Sequence, residues 1–529
     1  MNRWEELQQA ALTGRLTRRQ FMARAAALGV STSLASGVLA KAGYADDAPK
    51  QGGTLNIGIA GGSTTDSLDP TTYTDSMAFN VAFAIMNQLI ETDPNNKQIP
   101  SLFKSWEASA GATKWVFKVQ DGVTFHNGKT LDAEDIVYSV NLHRGKDSKS
   151  GAASGLKPIA DIKASDKLEV TMTLSEGDAD FIYPLSDYHV LVVPKDFKDW
   201  SHPIGTGAYT FGSYDPGVSA NVKRYKDHWN KDRGHVDEVN FTCINDTAAR
   251  MNAIVAGQVD IIHRVDTATI DLIKAVPTLA LVMAHGGYHA IYAARCDMDP
   301  FKDPNLRKAV KYGIDREQLL KALFNGYGAL GNDSPIPPSD PYFNKDLEQT
   351  KYDPDKAKFY LKKVTGTTKM VLSASDAAFN GAVDAALLFQ ANAKAAGLDF
   401  EVKKEPADGF WDNVWLKAPF CESYWGGRPA ATQMFTTAYK SDAAWNETGY
   451  KVEAFDKLLA EAKKTVAEDK RAPMIKELQK MVHEDGGAII PAFKDWVDAT
   501  ATKVKGYKPH SMFDLCNGRA AEKVWIDEA

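Results

Sequence analysis

The sequence has few cysteines and no cluster of metal ligands. Its 529 residues include four cysteines without a C-x-x-C pair, namely Cys243, Cys296, Cys421 and Cys516. This spacing is equally compatible with buried free thiols and with one or two disulfides, and metal ligation is the least favoured interpretation. His285 and His289 are four residues apart, but two glycines lie between them and no third ligand is near. The sequence therefore predicts no metal site.

The sequence also lacks an apolar run of the roughly 20 residues that a membrane-spanning helix needs. The interrupted apolar stretch 25–39 follows the twin arginines Arg18 and Arg19, and Gly43 and Ala45 offer small residues at both cleavage-determining positions. These features favour a twin-arginine signal peptide, cleaved near Ala45, over an amphipathic helix that stays on the protein. We expect a soluble periplasmic protein. A lipid anchor is not indicated, because there is no cysteine near the cleavage site.

No dense basic run is present. The formal net charge is −6, and since the first 45 residues hold six basic and two acidic residues, the 484 residues that follow carry −10. This charge argues against nucleic acid as a partner, because duplex binding requires a stripe of basic side chains. At about 150 residues per domain the length predicts roughly three domains, and the lack of a repeat of fixed period excludes solenoids.

The elements that are present indicate a mixed α/β fold. Alternating apolar residues predict strands over 53–59 and 114–119, and Asp132 is placed to cap a helix that follows it. Two segments repeat a helix, glycine and strand order, which is typical of α/β lobes. These are 247–256 with Gly257 and a strand over 259–262, and 383–396 with Gly397 and a strand over 398–402.

Near the C-terminus an apolar stripe between Val452 and Val466 predicts one helix. Pro473 is predicted to start a second helix, which Gly486 and Gly487 end.

Enzyme motifs fail on context or spacing. Residues 326–331 match G-x-G-x-x-G, but a predicted helix over 317–324 precedes them and prolines follow, so we interpret them as a loop and not as a dinucleotide site. Gly128-Lys129-Thr130 resembles the end of a phosphate loop, yet Val123 stands where the first glycine is required. G-x-S-x-G and H-E-x-x-H are both absent. We therefore predict no catalytic residue and no cofactor.

Aromatic residues are concentrated in polar loops that contain glycine, with four tryptophans between positions 411 and 445. Small-molecule clefts combine aromatic walls with a few polar groups, and glycine lets backbone amides approach a ligand. Trp415 is expected in the core, Trp425 at the cleft, and Arg428 as a partner for a carboxylate in preference to a surface charge or an internal ion pair. The predicted ligand-binding residues are Trp411, Tyr424, Trp425, Gly426, Gly427, Arg428, Trp445, Asn446, Asp384, Ser63 and Thr64.

Several separated segments resemble one family. They are 125–129 (FHNGK) with 132–135 (DAED), 205–209 (GTGAY), 300–316 from PFKD to IDR, and 352–357 (YDPDKA). Over essentially its whole mature length the chain resembles the large extracytoplasmic solute-binding proteins of the dipeptide, oligopeptide and nickel importer family. Most of these residues belong to the framework: Gly205 and Gly207 resemble a tight junction and Asp315 a helix cap.

The resemblance implies an α/β fold of the class II periplasmic-binding-protein type, with two lobes, a hinge and an inserted domain. Domain I would comprise 46–88, 202–292 and 492–529, domain II 89–201, and domain III 293–491. The implied function is to capture a small solute by lobe closure and to deliver it to the permease subunits of an ABC importer. A monomer is expected, with no enzymatic activity.

One departure from the family concerns the solute. Peptide-binding members follow Trp-x-Gly with an aspartate for the peptide amine, whereas Arg428 follows Trp425-Gly426-Gly427 here. Asp384 stands near the place of a basic residue that helps hold the peptide carboxylate. The exchanged charges predict an anionic group at Arg428, as in an amino-acid derivative, an opine-like conjugate or an unusual peptide. A peptide chaperone or sensor of the same fold and, less favoured, an exported amide hydrolase are the alternatives; nickel or haem binding ranks low because no ligand cluster is visible.

Overall fold

The computed structural model describes residues 49–379, 381–406 and 410–527, together with Trp4 and Leu7. The twin arginines, the apolar stretch and the cleavage site of the predicted signal peptide lie outside the described residues. In the described part, no helix combines the length and the hydrophobicity that are needed to cross a membrane.

The elements alternate between strands and helices along the chain. The strands are β1 (Thr54–Ile59), β2 (Ile90–Thr92), β3 (Gln98–Pro100), β4 (Phe103–Ala108), β5 (Lys114–Val119), β6 (Ile159–Asp166), β7 (Glu169–Leu174), β8 (Tyr209–Asp215), β9 (Ser219–Arg224), β10 (Glu238–Cys243), β11 (Ile261–Ile262), β12 (Leu279–Ala294), β13 (Gly328–Leu330), β14 (Met370–Ala374), β15 (Phe400–Lys404), β16 (Phe420–Trp425), β17 (Ala488–Ile489), β18 (Ala492–Ala501), β19 (Val504–Lys505) and β20 (Trp525–Ile526). The α-helices are α1 (Ser76–Ile85), α2 (Ala133–Asn141), α3 (Ala153–Leu156), α4 (Thr247–Val255), α5 (Ile270–Lys274), α6 (Pro304–Tyr312), α7 (Arg316–Phe324), α8 (Pro354–Leu361), α9 (Ala382–Ala395), α10 (Phe410–Asn413), α11 (Ala431–Ala438), α12 (Glu453–Lys464), α13 (Glu468–Asp485), α14 (Asp514–Gly518) and α15 (Ala520–Lys523). Short 3-10 helices span Pro184–Ser186 and Thr267–Thr269.

One large mixed sheet runs through most of the molecule. Its order is β15-β14-β16-β12-β18-β11-β1-β10-β9-β8, with β13 added beside β18 and β17 beside β12. Parallel pairs join β1 to β10 and β11, and β14 to β15 and β16, whereas β12 is antiparallel to β16 and β18. A separate antiparallel sheet has the order β4-β5-β7-β6. The predicted mixed α/β class is confirmed.

Buried apolar side chains form three main cores. The terminal core combines residues from 55–86, 191–261 and 504–526. The insert core lies under the four-stranded sheet, within 89–192. The distal core, made of two adjoining clusters, takes its residues from 290–493. The domain boundaries implied by the resemblance stay a prediction.

Strands β12 and β18 connect the terminal and distal cores. Their antiparallel register shifts between His285 and His289, which marks a β-bulge. The first half of β12 pairs with β18, and the second half pairs with β16. A Cβ on Gly286 would lie 2.7 Å from the carbonyl oxygen of Lys494, so the bulge needs a residue without a side chain. The register shift therefore lies where β12 changes its main partner from β18 to β16.

Local sequence signals predicted many of these elements correctly. Both predicted early strands are confirmed as β1 and β5, and the repeated helix and strand segments are confirmed as α4 with β11 and α9 with β15. Asp132 caps α2 by accepting from the backbone N–H groups of Glu134 and Asp135, and Asp315 caps α7 through Gln318. Gly205 and Gly207 confirm a tight junction, because a Cβ on either would overlap backbone atoms of residues 84–86.

Two predictions were wrong. Helix α13 begins at Glu468 and contains Pro473 in its interior, because a buried face that includes Arg471, Ile475 and Leu478 holds the helix despite the lost backbone donor. The G-x-G-x-x-G segment is also not simply a loop, because residues 328–330 form β13 against β18. A Cβ on Gly328 would overlap the carbonyl of Phe493, so this glycine allows two backbones to approach closely.

The cysteines are all free thiols, with Cys421 and Cys516 buried. Burial raises the pKa of the Cys516 thiol to about 12, so this thiol is held in its unreactive neutral form. Within the described ranges, no three side chains of His, Cys, Asp or Glu come together as a metal site.

Candidate functional site

A central cavity of about 670 Å³ lies where the terminal, insert and distal cores meet. This volume is in the range of about 300–1,000 Å³ that small-molecule sites occupy. Its lining includes Phe83, Tyr188, Met512 and Phe513 near the terminal core, Tyr183 and Asp187 near the insert core, and Arg428, Gln433 and Trp445 near the distal core. A solute bound here would contact all three parts of the protein.

Among the described residues that line the central cavity, Arg428 alone carries a positive charge. It follows the end of β16, and its guanidinium lies over the Trp425 ring at 5.5 Å from the centroid. Nη1 donates to the carbonyls of Gly426 (3.1 Å) and Gly427 (3.4 Å). Burial lowers the pKa of Arg428, and within the described chain no carboxylate lies within 4.0 Å of it. A partly buried guanidinium without a counterion is suited to bind an anionic group.

The glycines before Arg428 bring its loop against the bulge of β12. A Cβ added to Gly287 would lie 2.6 Å from the Cα atom of Gly427, which is closer than real Cβ contacts come. Since both residues are glycine, the two backbones touch directly. The position of Arg428 therefore depends on the bulge that joins the cores.

The central cavity also offers acceptors. Gln433 lines the cavity with a side-chain amide, but Oε1 of this amide is closed off from solvent and has no hydrogen-bond donor among the described residues. Asp187 accepts at Oδ1 from the backbone N–H of His189 (2.9 Å) and lies 2.6 Å from Nδ1 of the same ring. Sequence reasoning missed both residues, since no local pattern marks either of them. A carboxylate at the wall of the cavity can accept hydrogen bonds from N–H or O–H groups of a ligand.

Strained backbone brings Asn517 to the same cavity. Leu515, Cys516 and Asn517, inside the segment named α14, have φ angles of 52°, 59° and 63°, so this segment is a left-handed turn of residues that are not glycine and not a regular α-helix. Such residues cost about 1–2 kcal/mol each. The backbone N–H of Leu515 donates to Asp498 (3.0 Å), which helps to hold the turn, and Asn517 lines the central cavity.

A second cavity, the aromatic pocket, adjoins the first. It measures about 320 Å³ and is lined by Trp411, Trp415, Ser423, Tyr424, Trp425, Gly426, Arg428 and Trp445. Its rings form a continuous series with centroid distances of 5.8 Å (Tyr424 to Trp411), 5.7 Å (Trp411 to Trp415), 6.2 Å (Trp415 to Trp445) and 6.0 Å (Trp445 to Trp425). Arg428 and Trp445 line both cavities.

Glu447 fixes two of these rings. Its side chain is buried, and its oxygens accept from Nε1 of Trp415 (2.5 Å) and Nε1 of Trp425 (2.6 Å). Burial raises the pKa of Glu447. Trp415, expected in the core, packs against the distal core and also lines the aromatic pocket.

Four predicted ligand-binding residues line neither cavity. The side-chain amide of Asn446 is buried and donates to the carbonyls of Lys440 (3.2 Å) and Tyr450 (2.7 Å), so it holds its own loop. Asp384 is exposed, because α9 buries the face that carries Ala385, Ala386 and Phe389 instead. Ser63 and Thr64 lie in an exposed turn after β1, where Asp66 accepts from the backbone N–H of Ser63.

A comparison with known proteins places this arrangement in a family. The model of the bacterial extracellular solute-binding proteins, family 5, matches residues 97–447. The chain belongs to family 5 of these proteins. The family inferred from the sequence segments is confirmed, and so is the predicted role as the substrate-binding component of an ABC importer.

Relatives in family 5 cover nearly the whole chain. The glutathione-binding protein GsiB of Pectobacterium atrosepticum is 25% identical over 482 residues, which cover 86% of this chain and 92% of the relative. The di/tripeptide-binding protein 1 of Pseudomonas aeruginosa is 26% identical over 477 residues, covering 79% and 84%. The structure of HbpA2 from Haemophilus parasuis has a TM-score of 0.81 at 19% identity and covers 90% of this chain and 100% of that one. These matches confirm the predicted two-lobed fold of family 5.

Proposed function

We propose that this family 5 protein captures a small solute through an anionic group bound by Arg428. The observation that carries the proposal is the partly buried guanidinium without an acidic partner in the described chain. Leaving such a charge uncompensated is unfavourable, and a ligand carboxylate would supply both the counterion and two parallel hydrogen bonds.

The other polar groups of the central cavity favour a solute that also carries N–H or O–H donors. Asp187 lines the cavity with a carboxylate, and Gln433 lines it with a side-chain amide. An amino-acid derivative, an opine-like conjugate or a peptide-like molecule has this combination of an anion with donors. Two relatives, named for binding glutathione and di/tripeptides, agree with this chemical class.

Lobe closure completes the proposed mechanism. Domain I (46–88, 202–292 and 492–529) and domain II (89–201) would move against domain III (293–491), with the bulge between His285 and His289 as part of the hinge. A solute that contacts both sides of the central cavity stabilises the closed form by its differential affinity. Export by the twin-arginine route with cleavage near Ala45, and transport as the main role, belong to the same proposal.

Calorimetric titration of the protein without residues 1–45 tests the anion site. A panel of amino-acid derivatives, opines and short peptides is titrated, and the tightest ligand is then used with Arg428→Ala. Truncating one partner of a buried charge pair costs about 2–5 kcal/mol, so the affinity should fall by roughly 30-fold or more. Arg428→Lys should recover part of the loss, since it keeps the charge without the planar fork.

The matched control is Arg224→Ala, which removes an arginine that pairs with Asp237 and lines neither cavity. This control should bind as the parent does. Equal affinities of Arg428→Ala and the parent for the tightest ligand would refute the anion site.

A further inference from the structure

We infer that the aromatic pocket is a second subsite, which receives a flat, uncharged aromatic arm of the same solute whose anion Arg428 binds. This inference rests on the proposed anion site and adds the chemical class of the group next to the anion. Its first support is exposure: Trp411 is 37% exposed, Tyr424 42% and Trp445 49%. Large aromatic surfaces left open to solvent in a concave site mark a place for a ligand.

The second support is that the pocket is fixed before any ligand arrives. Glu447 holds Trp415 and Trp425 by one hydrogen bond to each indole N–H. Tyr424 is stacked on Tyr288 at 5.5 Å with an angle of 27° between the rings. Because these rings are already oriented, an entering group loses little binding energy to ordering of the protein.

The third support is continuity with the anion site. Arg428 and Trp445 line both the aromatic pocket and the central cavity. A molecule whose carboxylate binds Arg428 can therefore extend one arm into the aromatic pocket and another into the central cavity. The volume of about 320 Å³ is near the lower end of the range for ligand sites, so it suits one ring system and not a second complete solute.

Charge decides between an aromatic arm and a cationic one. An aromatic cage attracts cations, but one wall already carries the Arg428 guanidinium over the Trp425 ring. A second cation in the aromatic pocket would lie beside this guanidinium and be repelled. A neutral ring instead can make edge-to-face and offset-stacked contacts with several indoles at once. The geometry therefore favours an aryl or similar planar group.

The test compares N-acetylglycine with N-benzoylglycine, which differ only in the acyl group. It adds trimethylglycine, a zwitterion that carries a quaternary ammonium beside the same carboxymethyl group. They are titrated into the protein without residues 1–45, with heat and tryptophan fluorescence as readouts. Burying a ring is worth about 1.5–3 kcal/mol, so N-benzoylglycine should bind roughly tenfold to a hundredfold more tightly than N-acetylglycine. Trimethylglycine should bind no better than N-acetylglycine.

Substitutions in the aromatic pocket test whether the preference for the benzoyl group arises there. Trp411→Ala and Tyr424→Ala change residues that line the aromatic pocket and not the central cavity, so they should lower the affinity for N-benzoylglycine about tenfold more than the affinity for N-acetylglycine. The matched control is Trp200→Ala, because Trp200 lines neither cavity and stacks edge-on with Phe197.

Each other outcome counts against the inference. Equal binding of the acetyl and benzoyl compounds, no binding of the benzoyl compound, or a preference kept in both pocket variants would overturn the subsite. Tighter binding of trimethylglycine would show a cation cage instead. The proposed anion site fails separately, if Arg428→Ala leaves every affinity unchanged while Trp411→Ala still abolishes the benzoyl preference.

Discussion

Replacing Asp180 by asparagine is expected to weaken solute binding although Asp180 lines neither cavity. Asp180, beside the insert core, forms an ion pair with Arg471 of α13 in the distal core, and the hydroxyl of Thr432 donates to the same carboxylate. The two charged side chains are only 7% and 5% exposed. In the proposed closure, this pair lies between domain II and domain III and separates when the lobes open.

The expected magnitude follows from this burial. Breaking a buried ion pair by removing one charge costs about 3–5 kcal/mol, because the other charge stays buried without a counterion. In Asp180→Asn, Arg471 can avoid this cost if the lobes open and water reaches it. The substitution then lowers the fraction of protein in the closed form. Since the apparent affinity for the solute scales with that fraction, a cost of about 3 kcal/mol corresponds to a loss of affinity of up to roughly 150-fold.

Calorimetric titration with the tightest ligand measures the affinity, and solution scattering measures the opening without ligand. The control is Asp346→Asn, which breaks an exposed pair with Lys476 that is worth at most about 1 kcal/mol. Normal affinity of Asp180→Asn combined with a loss of 3–5 kcal/mol in urea unfolding would refute the reasoning. That result would place the ion pair in a static core and not between moving lobes.

Three further changes have defined outcomes. Gly287→Ala should destabilise the fold by about 1–3 kcal/mol and weaken solute binding, because its Cβ would lie 2.6 Å from the Cα of Gly427. Urea unfolding measures the stability and calorimetric titration the affinity, and an unchanged stability together with an unchanged affinity would contradict this expectation. Burial raises the pKa of Asp340 from 3.8 to about 7, so its neutral form contributes up to about 4 kcal/mol of stability below pH 4, and this contribution is lost as the pH rises to about 7. The melting temperature of Asp340→Asn should therefore rise relative to that of the parent as the pH increases from 4 to 8. A difference in melting temperature that does not change with pH would count against this reasoning. Glu447→Gln keeps one acceptor oxygen for two indole N–H groups, so the near-UV circular dichroism signal of tryptophan should weaken. The affinity for N-benzoylglycine should fall more than the affinity for N-acetylglycine, and equal losses of affinity would argue against a positioning role of Glu447.

Much of the framework could be predicted because its signals are local. The alternation over 114–119 gives β5 with the same bounds, and the cap at Asp132 depends on residues two and three positions away. Arg428 was also singled out from the sequence, since a basic residue stands there where the family resemblance implies an aspartate, and the structure places it at the wall of both cavities. Its role in binding stays a prediction. These features need no knowledge of distant contacts.

The rest of the site depends on contacts between remote segments. Asp187 and Gln433 are 246 positions apart and meet only because the insert and distal cores border one cavity. In Trp445-Asn446-Glu447 the sequence drew attention to the asparagine, whereas the structure uses it for the loop and uses Glu447 for the indoles. Whether a polar side chain serves a loop, a neighbouring ring or a ligand is decided by tertiary packing.

The place of Arg428 beside the bulge shows how one bound group can control two lobes. The Gly427 backbone touches Gly287, so a rotation at the bulge of β12 displaces the loop that carries Arg428. A solute that contacts Arg428 alone would bind the open and closed forms equally and would shift nothing. A solute that also reaches the insert side, where Asp187 lies, can contact Arg428 and that side together only in the closed form. In the proposed mechanism, the delivered compounds are therefore expected to be long enough to join Arg428 to that side, and an anion alone would be too small.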